Sequence, residues 1–226
     1  MATASSAERG PAEHRRALSV VAGSPTTKVV YDKGSVHHDG YTDLFREAEE
    51  KSRRWGVQMG PAFADPTGDV AGSAYDALPT IGRALDSREF SVWDSLEIRL
   101  HCAEIHLSIF ANRHHWRGPC VLTIGDVEVD GQREYGTAYP QLRQEMRGER
   151  RGTSETYPCH VWLTFADMHV VDVTFFPYRY YDSVPNPWQW SRYVLCSDPR
   201  HTLAADIPLR YVPMLVGLNA VEALIA

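Results

Sequence analysis

Cys159-His160-Val161-Trp162-Leu163-Thr164-Phe165-Ala166-Asp167-Met168-His169-Val170-Val171-Asp172-Val173-Thr174 consists of two β-branched, aromatic-rich runs broken at Ala166-Asp167-Met168. That pattern predicts an antiparallel hairpin. His160, near the outer end of the first strand, would then lie roughly opposite Asp172, near the outer end of the second, within reach of a cross-strand contact. An imidazole beside a carboxylate is the orienting half of a thiol or hydroxyl triad: the ring acts as base, and the acid fixes its tautomer and stabilises the imidazolium.

The nucleophile is sought among the four cysteines, because serine is too common in the chain to be informative. Cys159 precedes His160 on an extended segment, where successive side chains point to opposite faces, and it is set aside. Cys196, in Tyr193-Val194-Leu195-Cys196-Ser197-Asp198-Pro199, has no activating neighbour in sequence and reads as a small buried hydrophobe. Cys120 opens the strand-like run Cys120-Val121-Leu122-Thr123-Ile124 after the Gly118-Pro119 turn. As an edge-strand thiol beside a cleft it is the alternative nucleophile. Cys102 starts Cys102-Ala103-Glu104-Ile105-His106-Leu107-Ser108-Ile109-Phe110-Ala111, whose apolar positions fit a largely buried helix. The first turn of a helix is where its dipole favours a thiolate, so Cys102 is the preferred candidate.

The chain order resembles that of transglutaminase-like enzymes within the papain-like superfamily. The resemblance is carried by Cys102 at a helix start, the Gly118-Pro119 turn opening a strand, His160-Val161-Trp162, and Asp172-Val173-Thr174, over roughly residues 90 to 180. One departure is visible: such enzymes place a small residue just before the cysteine, and this chain has Arg99-Leu100-His101. The segment Asp94-Ser95-Leu96-Glu97-Ile98 also offers an earlier helix start, which would leave Cys102 in mid-helix. The resemblance implies an α+β papain-like (transglutaminase-like) core, with a helix packed on an antiparallel sheet and a Cys102–His160–Asp172 triad. It implies attack of the Cys102 thiolate on an amide or acyl carbonyl and a thioester intermediate resolved by water or an amine. The substrate would be a protein, a peptide or a small amide. Strand alternation puts Trp162 on the His160 face, where it is expected to wall the substrate site.

Composition bounds the alternatives. With 226 residues and 43% apolar content the chain can bury one sizeable core, and two full domains would be a stretch. A net charge of −6 argues against nucleic acid or an anionic membrane as main partner. The basic residues Arg143, Arg147, Arg150 and Arg151 alternate with Glu145 and Glu149, as on a solvated face. No stretch approaches the ~20 apolar residues of a membrane span, and the N-terminus lacks the apolar core of a secretory signal. The expected compartment is the cytoplasm, or an exterior reached without a Sec signal, with free thiols. No nucleotide-binding glycine motif occurs, and the adjacent pairs His37-His38 and His114-His115 lack metal-ligand spacing, so no cofactor is expected.

Along the chain, residues 1–38 read as a mobile arm with at most one strand, and 39–226 as a single catalytic domain. Thr42 to Trp55 predicts a surface helix stopped by Gly56. Ser73 to Leu85 predicts a short helix interrupted at Pro79. The charged excursion from Gly131 to Tyr157 has room for a helix over Gln141 to Arg151, either a lid over the cleft or a plain solvated helix. The aromatic stretch Tyr178 to Trp190 suits a cover over the sheet better than a substrate wall. Two other classes of function stand beside the enzyme: a binding module on the same fold with a structural thiol, and a metal-dependent hydrolase using His160 and Asp172 as ligands.

Overall fold

The computed structural model describes residues 30–31, 40–59, 74–85, 101–116, 118–149, 158–175, 195–197 and 209–225. Its centre is a mixed sheet. Strand β2 (Cys120–Val129) pairs antiparallel with β4 (His160–Phe165), with the short β3 (Gln132–Arg133), and with β7 (Leu209–Val216). On the far side of β4 lie β5 (Val170–Asp172) and β6 (Leu195–Ser197), both antiparallel. The two-residue β1 (Val30–Tyr31) closes that edge in parallel with β6, the one parallel pair in the described sheet. The rest of residues 1–38, expected to hold at most one strand, lies outside the described residues.

Helices cover both faces, which explains why the long strands are buried over nearly their whole length rather than on alternate residues. On one face α2 (Ala74–Leu85), α3 (Cys102–Ala111), α4 (Tyr139–Met146) and α5 (Leu218–Ile225) bury Ile81, Ile105, Ile109, Leu142 and Val221 against Leu122, Val161, Leu163, Phe165 and Val171. On the other, α1 (Tyr41–Arg54) lays Tyr41, Phe45 and Ala48 over Val121, Trp162, Val170 and Tyr211. Residues 41, 45, 48 and 52 are spaced three or four apart, so they form one buried stripe. Ser52 in that stripe accepts the Val216 N–H at 2.8 Å and donates to the Ala48 carbonyl, tying α1 to β7.

Two expectations are revised. α2 runs through Pro79 without a break, because Ala77, Leu78, Ile81 and Leu85 are all held in the core, and that burial outweighs the missing N–H. The helix of the excursion spans Tyr139–Met146, with Pro140 in its first turn, and plugs Leu142 fully into the core cluster. The stretch Tyr178 to Trp190 lies outside the described residues. Among those residues no helix is long and apolar enough to cross a membrane.

Gly125 pins the sheet. A Cβ there would lie 2.1 Å from the Val212 carbonyl oxygen and 2.7 Å from the Trp162 ring. The β2–β7 register also shifts between Ile124 and Gly125, where Pro213 faces the glycine. A bulge is where a strand tolerates a proline, and glycine is what lets the two backbones approach.

Candidate active site

The hairpin forms, with a tight turn. Phe165 N–H donates to His169 O at 2.9 Å, Met168 N–H donates to Phe165 O at 2.8 Å, and Met168 takes a left-handed φ of 65°. Asp167 binds the His169 N–H at 3.1 Å and the Ala74 N–H, at the start of α2, also at 3.1 Å. The register pairs Leu163 with Val171 and Thr164 with Val170. Extended by one step, it sets Asp172 level with Trp162, so His160 reaches Asp172 along the diagonal rather than straight across. That diagonal is within reach of a ring and a carboxylate on one face.

His160 Nε2 lies 2.6 Å from Asp172 Oδ2, with both side chains buried. Asp172 has further donors. Tyr211 OH donates to Oδ2 at 2.9 Å, while Oδ1 accepts from the Thr174 N–H at 2.9 Å, the Phe175 N–H at 3.0 Å and the Thr174 hydroxyl at 3.2 Å. Burial alone would raise the Asp172 pKa. The charge and hydrogen bond of His160, the nearby His106 and the Thr174 N–H prevail and hold it well below the usual carboxylate range. For His160 burial disfavours the imidazolium, but the charge and hydrogen bond of Asp172, helped by Cys102, raise its pKa to about 10. The ring is held by Tyr135, stacked at 5.0 Å, by Trp162 at 6.1 Å and by Phe175 edge-on at 5.9 Å.

α3 begins at Cys102, since His101 before it has the non-helical φ of −118° and ψ of 35°, so the thiol sits in the first turn. Its Sγ lies 3.9 Å from the Cys159 carbonyl oxygen, immediately before β4. His160 opens β4 and Asp172 closes β5. The Cys102 thiol is one of the groups that raise the His160 pKa. The second ring nitrogen, Nδ1, is buried with no partner at full hydrogen-bond geometry.

Cys120 is a different case. It pairs with Phe165, whereas His160 pairs with Gly125, five residues along β2. At ~3.4 Å per residue that is ~17 Å, too far for contact. Its thiol pKa is pushed up to about 12 by burial, against a hydrogen bond from Trp116 and the charge of Arg113. Cys159 is buried in the helix-side cluster, and burial, reinforced by Cys102, raises its pKa. Cys196 carries no described side chain. Trp162, expected to wall a cleft, shares the His160 face but is fully buried, and its indole N–H donates inward to Tyr41 OH at 2.9 Å. It backs the imidazole instead. Tyr41 OH and Thr164 Oγ1 lie 2.5 Å apart, and Thr164 and Thr123 hydroxyls 2.8 Å, which completes a buried polar network behind the pair.

Two residues not singled out in the sequence complete the site. Tyr211 is 39 residues from Asp172 and carries no local signal of its role. His106 is one helical turn after Cys102, and that i,i+4 spacing was the available clue. Among the described residues, no group of three or more His, Cys, Asp or Glu side chains is arranged to hold a metal ion. Comparison of the chain with family models, with curated proteins and with solved structures finds no match.

The paired charges set a pH optimum for stability. The raised His160 contributes fully below about pH 6.5, and its contribution is lost as pH rises through about 10. Asp172, depressed, contributes above the ordinary carboxylate range and is lost in acid. His106, lowered to about 4 mainly by burial, opposes folding increasingly as pH falls from 6.5 toward 4. Urea midpoints measured across pH should therefore peak near pH 6.5 and fall on both sides. A flat profile between pH 6.5 and 9 would contradict the ion pair.

Proposed function

We propose that this chain is a thiol-dependent amide hydrolase or acyl transferase built on a papain-like, transglutaminase-like core, with Cys102 as nucleophile, His160 as base and Asp172 as the orienting acid. The observation that carries the proposal is the buried His160–Asp172 bond of 2.6 Å; beside it stands a first-turn thiol that is among the groups raising the His160 pKa. Asp172 engages Nε2, which leaves Nδ1 for the thiol proton. His160 holds a proton to about pH 10, so in the reactive pair the thiol proton already sits on the ring, and the Cys102 thiolate bonds to the substrate carbonyl carbon. The N–H groups of the first turn of α3 serve as donors for the resulting oxyanion. Collapse breaks the C–N bond, His160 returns the proton to the departing amine, and a thioester remains on Cys102. Water, deprotonated by His160, releases an acid; an amine in its place gives a new amide.

Brief iodoacetamide treatment of the folded protein, followed by mass mapping, tests this. A His-paired thiol alkylates far faster than a buried one. Label should appear at Cys102 ahead of Cys120 and Cys159, whose thiols burial holds protonated. Uniformly slow labelling of all the cysteines would refute the enzyme.

A further inference from the structure

His106 is fully buried and takes no part in the proton transfers just described. It bridges two elements. Its Nδ1 lies 2.8 Å from the Cys102 carbonyl oxygen, which can only accept, so Nδ1 carries the proton. Its Nε2 accepts the N–H of Val173, the residue after Asp172, at 3.2 Å. Both bonds require a neutral ring with one tautomer. Nε2 also lies 3.7 Å from Asp172 Oδ1, and the ring stands edge-on to His160 at 6.4 Å. Asp172 Oδ1 is already committed to Thr174 and Phe175, so the bridge passes through backbone and leaves the carboxylate to His160.

We infer that His106 is a positioning residue, clamping the first turn of α3 to the chain just beyond β5 so that the Cys102 thiol is held against His160. The inference rests on the proposed thiol chemistry. His106 thus joins the Cys102 turn to the Asp172 turn by two hydrogen bonds from one ring. The thiol and the imidazole belong to elements 58 residues apart in sequence, and each is fixed on its own side: Asp172, Tyr135 and Trp162 hold the ring, while packing holds the helix. Reactivity depends on their relative placement, and a misplacement of ~1 Å can lower rates ~100-fold.

The test follows the pH dependence of Cys102 alkylation by iodoacetamide in the full chain carrying H106L, H106N or H106Q. Asn presents a donor where Nδ1 stands and retains the bond within α3. Gln presents an acceptor where Nε2 stands and retains the bond to Val173. H106L should lower the Cys102 rate at neutral pH at least about tenfold and displace its pH profile, while circular dichroism stays native. H106N should fall with H106L, and H106Q should stay within about threefold of wild type. Equal rates and superimposable profiles for wild type and a folded H106L would overturn the clamp and leave the thiol enzyme standing. If H106L does not fold, H106N and H106Q decide alone: a slow Asn variant with a fast Gln variant supports the clamp, and equal rates overturn it. A wild-type Cys102 that labels no faster than Cys159 would sink the enzyme and the clamp together.

Discussion

Asp172→Asn should cut acylation of Cys102 by an activated ester about 10⁴-fold while leaving a folded protein, the magnitude seen when a triad loses its orienting acid. The donors around the carboxylate give the reason. An Asn side chain can keep its oxygen on the Thr174 and Phe175 N–H groups, which hold Oδ1 at 2.9 and 3.0 Å. Its amide nitrogen then takes the place of Oδ2, where Tyr211 can turn its hydroxyl to accept, so the buried groups stay satisfied. His160 has no such freedom. Facing an N–H donor, its Nε2 must become the acceptor, which moves the ring proton to Nδ1, the nitrogen that should receive the thiol proton. The same variant has a spectroscopic signature. In the wild type His160 holds its proton to about pH 10 because Asp172 overcomes burial. Without that charge burial prevails, and an NMR titration of the imidazole should find its pKa below the ordinary value of 6.5. A His160 titration unchanged by the substitution would refute the pairing.

Gly125→Ala should destabilise the chain by about 3 kcal/mol or more, enough to leave little folded protein. The added methyl would meet the Val212 carbonyl at 2.1 Å and the Trp162 ring at 2.7 Å. Neither yields easily. Val212 is backbone in β7, paired with Asp126 beside the bulge. Trp162 is fully buried, bonded to Tyr41 and stacked on His160. Relief of the clash would therefore push the ring that backs His160. Urea unfolding of the variant measures the effect, and a loss under about 1 kcal/mol would mean that the two strands separate more freely than their pairing implies.

The sequence carried the hairpin because its apolar runs are bounded by a polar break, and it carried His160 with Asp172 because residues near the two outer ends of one hairpin meet whatever the rest of the chain does. Their diagonal relation depends on the turn register, which residue types alone do not set. The helical pattern placed Cys102 at a helix start, and the structure begins α3 there. What remained hidden is non-local. The distance of Cys120 from His160 follows from the β2–β4 register, and Tyr211 reaches Asp172 only because β7 pairs with β2. The continuity of α2 through Pro79 likewise depends on tertiary packing, which a local reading of proline cannot weigh. Trp162 was placed on the correct face, but α1 covers that face, and nothing in the 160–174 stretch reports a helix more than 100 residues earlier.

The order in which the strands are joined has a kinetic meaning. The hairpin is a local structure, able to close within microseconds of its synthesis. The contacts that make it competent are distant: Tyr41 and its helix come from the first quarter of the chain, Cys102 from the middle, and Tyr211 from near the end. β7 completes both the sheet beside β2 and the donor set of Asp172, so a nascent chain that has made residue 172 but not residue 211 holds an incompletely satisfied carboxylate and no finished site. Such long-range pairing forms slowly relative to closure of the hairpin. The proposed site is thereby complete only once β7 has paired with β2 and Tyr211 has reached Asp172.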